Sequence, residues 1–344
     1  MLGRRVTLRD VADRAGVHTS TASRAINEHT RSLVDDQTVE RVLAAAKELG
    51  YRPNSLARGL KTNRTYTVGM LLPDLTNPLF PPIVRGLEDS LGEADYTVIL
   101  ANTDSDPDKE EAVLNALLNR SVDGLILATA QRTPTPTIRG LLDSDMPVVL
   151  VNRSIDDPAV SSVTGDDHRG IALAVAHLTA MGHRHIAHVA GPQHLSTGLA
   201  RHRGFVHALR DAGIEPDPDH IAYADTFREP AGAAAFRTIL DRTTDITAVV
   251  AGNDLIALGC YDVLNERGLT VGTDISVIGF NDMLFADKLC PPLTTVHIPH
   301  YDIGARAGQI ILDVIEHRTT EPRQLHLDPT LVVRASTAPP RDDR

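Results

Sequence analysis

Residues 6–27 read VTLRDVADRAGVHTSTASRAIN, and the reading of this stretch decides the first part of the fold. Thr7 can accept the backbone N–H of Asp10 while Asp10 returns the bond, a capping box with Asp in place of Glu or Gln. Leu8, Val11, Ala12 and Ala15 then recur at helical spacing, and Gly16 supplies a turn where a positive φ costs little. A second helix is predicted over Thr19 to Ile26, with Ala22, Ala25 and Ile26 facing inward. Thr19, Ser20, Thr21 and Arg24 are left as an outward face of short hydroxyls and one cation. Such a face suits the DNA major groove, where hydroxyls bond phosphates and base edges and Arg grips guanine O6 and N7. An ordinary helical hairpin shares the same apolar spacing, so the rest of the chain has to decide.

Charge supports the DNA reading. Residues 1–64 carry 12 Lys+Arg against 7 Asp+Glu, whereas the other 280 carry 22 against 38, within an overall net charge of −11. A basic head on an acidic body fits a nucleic-acid reader joined to a solubilising domain, and 344 residues suit about two domains. No apolar run approaches the roughly 20 residues of a membrane span. The opening MLGRRVTLRD has no apolar segment after its arginines, so a cytoplasmic protein without a secretory signal is expected. Cys260 and Cys290 lie far apart without metal-ligand spacing and read as buried free thiols.

Asp35 is placed to cap a third helix, Asp36 to Leu49, with Val39, Val42, Leu43, Ala46 and Leu49 on one face. Gly50 ends it and Arg52-Pro53 blocks continuation. The next stretch, PNSLARGLKT, is helix-like but too short to hold alone in water. It reads as a hinge that folds on binding, with Leu56 and Leu60 one turn apart and Leu60 able to wedge between base steps in the minor groove. From Thr65 the pattern becomes strand, turn and helix, repeated. Strands are predicted at Thr67–Leu72, Thr97–Asn102, Gly124–Ala128 and Val148–Asn152, then at Ile186–Ala190, Ile221–Tyr223, Ala248–Gly252 and Ser276–Phe280. The helices between them include Pro82–Leu91, Asp108–Arg120, His168–Met181, Leu199–Ala212, Pro230–Leu240 and Leu255–Arg267. Apolar strands alternating with helices imply parallel sheets covered on both faces, and two such runs imply two doubly wound lobes. The expected fold class is α/β: a three-helix head, a hinge helix, and a two-lobed core.

Ligands of open α/β sheets bind at the carboxyl ends of the strands. There the chain places Asp74, Asn102, Thr103, Asn152, Arg153, Asn253, Asp254, Asn281 and Asp282, with Arg201 on a following helix. Asn and Asp donate to and accept from vicinal hydroxyls, Arg forks onto oxygen pairs, and Phe80 or Phe280 can stack on a sugar ring. The same Asn and Asp residues would also serve as helix N-caps.

The residues VTLRDVADRAGV, TASRAIN, TVERVLAAAKELGYRPN, ARGL and, near the end, ASTAPP resemble the lactose-repressor/galactose-repressor (LacI/GalR) family of bacterial transcription regulators. The resemblance covers nearly the whole chain. It implies that Thr19, Ser20 and Arg24 read operator bases, that Thr7, Thr21, Ser23 and Asn27 contact the DNA backbone, and that Leu60 inserts at the operator centre. It also implies a core like that of periplasmic sugar-binding proteins, with effector contacts at Phe80, Asn152, Arg201, Asn253, Asp254 and Asn281 and crossings between lobes near 164, 295 and 325. His18 stands where the family usually has a capping Ser, Val39 replaces a usual Arg, and His300 falls where some members place an aromatic over the ligand.

The expected organisation is a DNA-binding domain at 1–52, a hinge at 53–64, an effector-binding and dimerisation domain at 65–338 and a tail at 339–344. The expected function is that of a repressor which binds a near-palindromic operator as a homodimer and is released by a sugar or sugar derivative. A purine or another metabolite acting as co-repressor is the alternative, and a stand-alone solute-binding protein a more distant one. No nucleophile–base constellation or phosphate loop suggests an enzyme, and no cofactor is expected. The run Gly182-His183-Arg184-His185-Ile186-Ala187-His188 is set aside as a metal cluster, because His183 and His188 would point to opposite faces of a strand. Asp104, Asp106 and Asp108 alternate as in a calcium loop but lack its Gly and closing Glu, and read as the start of a helix.

Overall fold

The computed structural model describes residues 6–27, 30–51, 64–319 and 321–341. The chain divides into two compact units, Met1–Thr65 and Tyr66–Arg344. In the first, α1 (Leu8–Ala15) opens on the expected capping box, with Asp10 N–H donating to Thr7 Oγ1 at 3.3 Å and Thr7 N–H to Asp10 Oδ2 at 2.8 Å. Gly16 closes it at φ 66°. Helix α2 (Thr19–Ile26) and α3 (Asp36–Leu49) follow, the latter capped by Asp35, which accepts from Thr38 N–H at 2.9 Å. Their shared core is small: Val11, Ala12, Ala22, Ala25, Val39, Val42 and Ala45 are buried.

Two expectations need correction here. Leu43 was placed on the inner face of α3 but is 37% exposed, and Ala45 is buried instead. At about 100° per residue, Leu43 falls off a stripe centred on Val42, whereas Ala45 lies only about 60° from its centre on the other side. The loop after α2 was read as merely polar, yet Arg31–Leu33 forms a short 3-10 turn. Arg31 Nε donates to Ala25 O at 3.1 Å and so ties off the end of α2. The hinge residues 53–62, Leu60 among them, lie outside the described residues.

The second unit holds two six-stranded sheets among the described residues. The first takes β1 (Thr67–Leu72), β2 (Thr97–Asn102), β3 (Gly124–Leu127), β4 (Val148–Val151) and β5 (Ser161–Gly165), with β11 (Gln324–Leu327) added late, in the order β11-β5-β4-β3-β1-β2. The second takes β6 (Ile186–Ala190), β7 (Ile221–Tyr223), β8 (Ala248–Ala251), β9 (Ser276–Asn281) and β10 (Thr294–His297), with β12 (Thr330–Val332), in the order β12-β10-β9-β8-β6-β7. Every pairing is parallel except that of β12 with β10. Between them run α4 (Phe80–Gly92), α5 (Pro107–Asn119), α6 (Pro136–Leu142), α7 (Asp167–Ala180), α8 (Ser196–Asp211), α9 (Glu229–Arg242), α10 (Asp254–Glu266) and α11 (His300–Ile315). The chain thus crosses between lobes after Gly165, after His297 and after Leu327.

The eight expected strands are present to within a residue, whereas β5, β10, β11, β12, α6 and α11 were not read. Asp106 accepts from Asp108 N–H at 2.9 Å and caps α5, so the alternating aspartates do start a helix. The cysteines split: Cys260 is buried on α10, but Cys290 is exposed, lying in the loop before β10 rather than on an apolar face. No helix of the described residues is long and apolar enough to cross a membrane.

Candidate DNA-reading face and ligand cleft

On α2 the packing side consists of Ala22 and Ala25, while Ser20, Arg24 and Asn27 are exposed and Thr19, Thr21 and Ser23 half-buried. Two alanines let the short helix lie close on α1 and α3 and leave its hydroxyls outward. His18 does cap this helix: its Nδ1 accepts the N–H of Ser20 at 3.3 Å and lies 2.8 Å from Ser20 Oγ. The ring therefore replaces a Ser or Asp cap but occupies the hydroxyl of Ser20. Thr7, exposed, spends its side chain on the α1 cap.

At the carboxyl ends of the two sheets lies a cavity of about 930 Å³. The first lobe lines it with Asp74, Thr103, Glu110 and Arg153, and the second with Leu195, Phe227 and Arg228. Arg228 Nη2 reaches across to Asp74 Oδ2 at 2.7 Å and joins the two walls. Burial raises the carboxyl of Glu110, against the opposing pull of Thr129 and Arg153. Arg153 is drawn down to about 10, by burial first and then by the charge of Arg201, and its Nε is buried without a partner.

Beside it sits a buried group built on the second lobe. Arg201, 3% exposed on α8, donates from Nε to Asp167 Oδ1 at 2.8 Å and from Nη1 to Gly252 O at 2.7 Å. Its guanidinium carbon lies 3.9 Å from the centroid of Phe280 and 5.7 Å from that of Phe227. Burial lifts the carboxyl of Asp167 even though Arg201 pulls the other way. Against this group from the first lobe, His300 at the head of α11 is pushed down to about 3 by burial, helped by Arg201, so the ring is neutral. Its Nε2 and the Oδ1 of Asn281 are buried without partners.

The seven residues expected to contact an effector are placed unequally. Asp74 lines the cavity. Arg201 and Asn281 belong to the second-lobe wall, buried with Phe280. Asn152, just after β4, and Asn281, which ends β9, have φ of 63° and 107°, a backbone that Asn tolerates better than most side chains. Three are committed elsewhere. Asn253 caps α10 by accepting from Ile256 N–H at 2.8 Å and donates to Phe227 O at 3.1 Å. Asp254 accepts from Met283 N–H at 2.6 Å and Thr295 Oγ1 at 2.5 Å, and burial raises it to about 7. Phe80, 2% exposed, packs into the core at the head of α4. Asp167, Glu110 and Phe227 were missed. Asp167 lies two residues after β5, so the position of that strand would put it among the carboxyl-end residues.

The model of bacterial regulatory proteins of the lacI family matches residues 7–54, and that of periplasmic binding proteins and the sugar binding domain of the LacI family matches residues 65–334. The chain belongs to the LacI family of bacterial regulatory proteins. It is a DNA-binding transcriptional repressor that responds to a ligand. Among relatives it is 38% identical to the repressor PurR of Erwinia tasmaniensis over 98% of this chain and 99% of that one. It is 36% identical to the ribose operon repressor of Escherichia coli K12, over 96% and 99%. Of solved structures, a complex of the transcriptional regulator CelR with cellobiose matches at TM-score 0.75 and 34% identity, covering 96% of this chain and all of that one. The lac repressor dimer bound to operator and the anti-inducer ONPF matches at 0.82 and 27%, covering 97% and 100%.

Proposed function

We propose that this repressor is controlled by a neutral sugar or sugar derivative bound between the two lobes, and that the ligand releases a homodimer from a near-palindromic operator. The observation that carries the ligand class is unmet hydrogen-bonding capacity: Arg153 Nε in the cavity lining, and Asn281 Oδ1 and His300 Nε2 in the buried group beside it, are buried without partners. Buried polar atoms left unpaired cost free energy that a hydroxylated ligand would recover. Both signs of charge line the walls, Asp74 and Glu110 against Arg153 and Arg228, which suits vicinal hydroxyls better than a net-charged molecule. Similar solved proteins include one in complex with cellobiose and one with bound ribose.

In this reading Asp74, Asn152, Arg201 and Asn281 contact the ligand directly. Phe80, Asn253 and Asp254 hold the walls that carry those contacts. On the head, Thr19, Ser20 and Arg24 read base edges and Thr7, Thr21, Ser23 and Asn27 meet phosphates, while Leu60 wedges the operator centre. Ligand can shift the equilibrium only by its differential affinity for the two lobe arrangements. The reading is tested by a thermal-shift screen of neutral sugars against nucleobases, since a ligand of the native state raises the melting temperature by mass action. A sugar that stabilises the chain and lowers its retention on operator DNA is the expected result. Stabilisation by a purine, with tighter DNA retention, would replace the inducer by a co-repressor.

A further inference from the structure

The histidine run at 182–188 is resolved by the sheet rather than by its own spacing. His183 is held between Thr247 Oγ1 at 2.8 Å and Ala338 O at 2.8 Å, and His188 bonds Val250 O at 2.8 Å inside the core. The third histidine, His185, meets residues from elsewhere in the chain. It sits just before β6, His220 just before β7, and Asp245 in the turn that leads from α9 to β8. Strands β7, β6 and β8 are parallel neighbours, so residues at their amino ends are set side by side. This is the end of the sheet opposite the cleft.

We propose that His185, His220 and Asp245 form a binding site for a borderline divalent transition ion of the zinc class. Asp245 Oδ2 lies 2.9 Å from His185 Nδ1 and its Oδ1 lies 3.0 Å from His220 Nε2. One ligand atom from each of the three residues can be chosen so that all lie within 4.8 Å of one another. Metal–ligand bonds of about 2.0–2.1 Å in a tetrahedron put neighbouring ligand atoms about 3.3 Å apart, so the two close contacts need to open by a few tenths of an ångström and the remaining separations, within 4.8 Å, need to close by at most about 1.5 Å. Two imidazoles and a carboxylate are a donor set for zinc rather than for calcium or magnesium, which prefer oxygen. His220 is buried and fixed, while His185 and Asp245 are about half exposed, leaving the remaining coordination positions to water. Behind the carboxylate, the hydroxyl of Thr243 donates to Asp245 Oδ1 and orients it, the kind of outer support that metal carboxylates receive. A metal ion binds only unprotonated imidazole and carboxylate groups, so uptake weakens in acid.

The test is titration calorimetry of zinc chloride into the full chain, without an affinity tag and after chelator treatment. One saturable site per protomer is expected, with a rise in melting temperature on zinc addition. His185→Gln with Asp245→Asn should weaken binding by more than about 100-fold, and Thr243→Val by about 10-fold. His168 and His207, an exposed pair 3.1 Å apart, are the natural source of adventitious binding, so His207→Gln should leave the titration unchanged. His220 is left intact because it is buried, and His185→Gln alone, at an exposed position, carries the test if the double variant unfolds. Wild-type zinc affinity in the His185 variant, or no saturable binding by the natural chain, would overturn the site.

Discussion

Helix α2 and the second-lobe wall of the cleft are both built from polar groups carried on or just before helices, yet they hold them in opposite ways. On α2 Ser20 and Arg24 are exposed and Thr19, Thr21 and Ser23 half-buried, backed by two alanines, with the Ser20 hydroxyl engaged by His18. In the cleft Arg201, Asn253 and Asp254 are each under 4% exposed and already bonded to protein. A duplex arrives with its own fixed edges, so its reader needs groups that are free to be met. A small ligand has to be engulfed, so its reader needs groups whose positions are decided beforehand. Substitutions on α2 should therefore change binding alone, and those in the wall should change binding and stability together.

The largest effect is expected at Arg201. Arg201→Ala strands Asp167 as a buried, unpaired charge and should cost about 3–5 kcal/mol in denaturant unfolding, with loss of ligand response. Wild-type stability in that variant would break the contrast. Arg24→Ala should lower operator affinity by the equivalent of about 1–3 kcal/mol in an anisotropy titration and leave the melting temperature unchanged. A parallel loss of stability would show that α2 is not a free face.

The core behind the wall should also carry a pH signature. His188, stacked on Phe205 at 4.6 Å, is pushed by burial to about 3. The unfolded chain takes up that proton near pH 6.5, so stability is full above about 6.5 and falls by about 1.4 kcal/mol per pH unit below it, until about pH 3. By pH 5 the loss is about 2 kcal/mol from this ring, and His188→Gln should flatten the slope; His300 acts in the same direction. The smallest effect belongs to the pair joining the walls. Arg228 is 62% exposed on its side chain, so a double-mutant cycle with Asp74 should return under about 1 kcal/mol and shrink with salt.

What could be read without coordinates follows from where the chain buries apolar residues. The central strands, such as Val148–Val151, are continuous apolar runs and were placed to within a residue. Strands β5 (SSVTG) and β10 (TTVH) have one apolar side chain each and spend their hydroxyls on bonds, Thr164 to His326 and Thr295 to Asp254, so no pattern marked them. Helix α11 was masked by glycines that look like breakers. A Cβ on Gly304 would stand 1.9 Å from Ile83 O and one on Gly86 2.0 Å from Tyr301 O, so these glycines let α11 and α4 touch backbone to backbone. At the cleft, position along the chain located the right loops but not the direction of each side chain. Asp254 and Asn253 follow β8 as ligand residues would, and only their partners show that they brace the wall.

The three crossings also set a timetable. Both sheets wait for residues near the end of the chain: β11 adds to the first, β12 to the second, and Ser336 bonds Thr294 N–H at 2.7 Å and Val277 O at 2.6 Å. The head is finished by residue 51. At roughly 5–20 residues per second of synthesis, its helices emerge about 15–60 s before the last strands of the sensor can be laid down. Each newly made repressor therefore has a DNA-reading unit before it has a means of sensing its ligand.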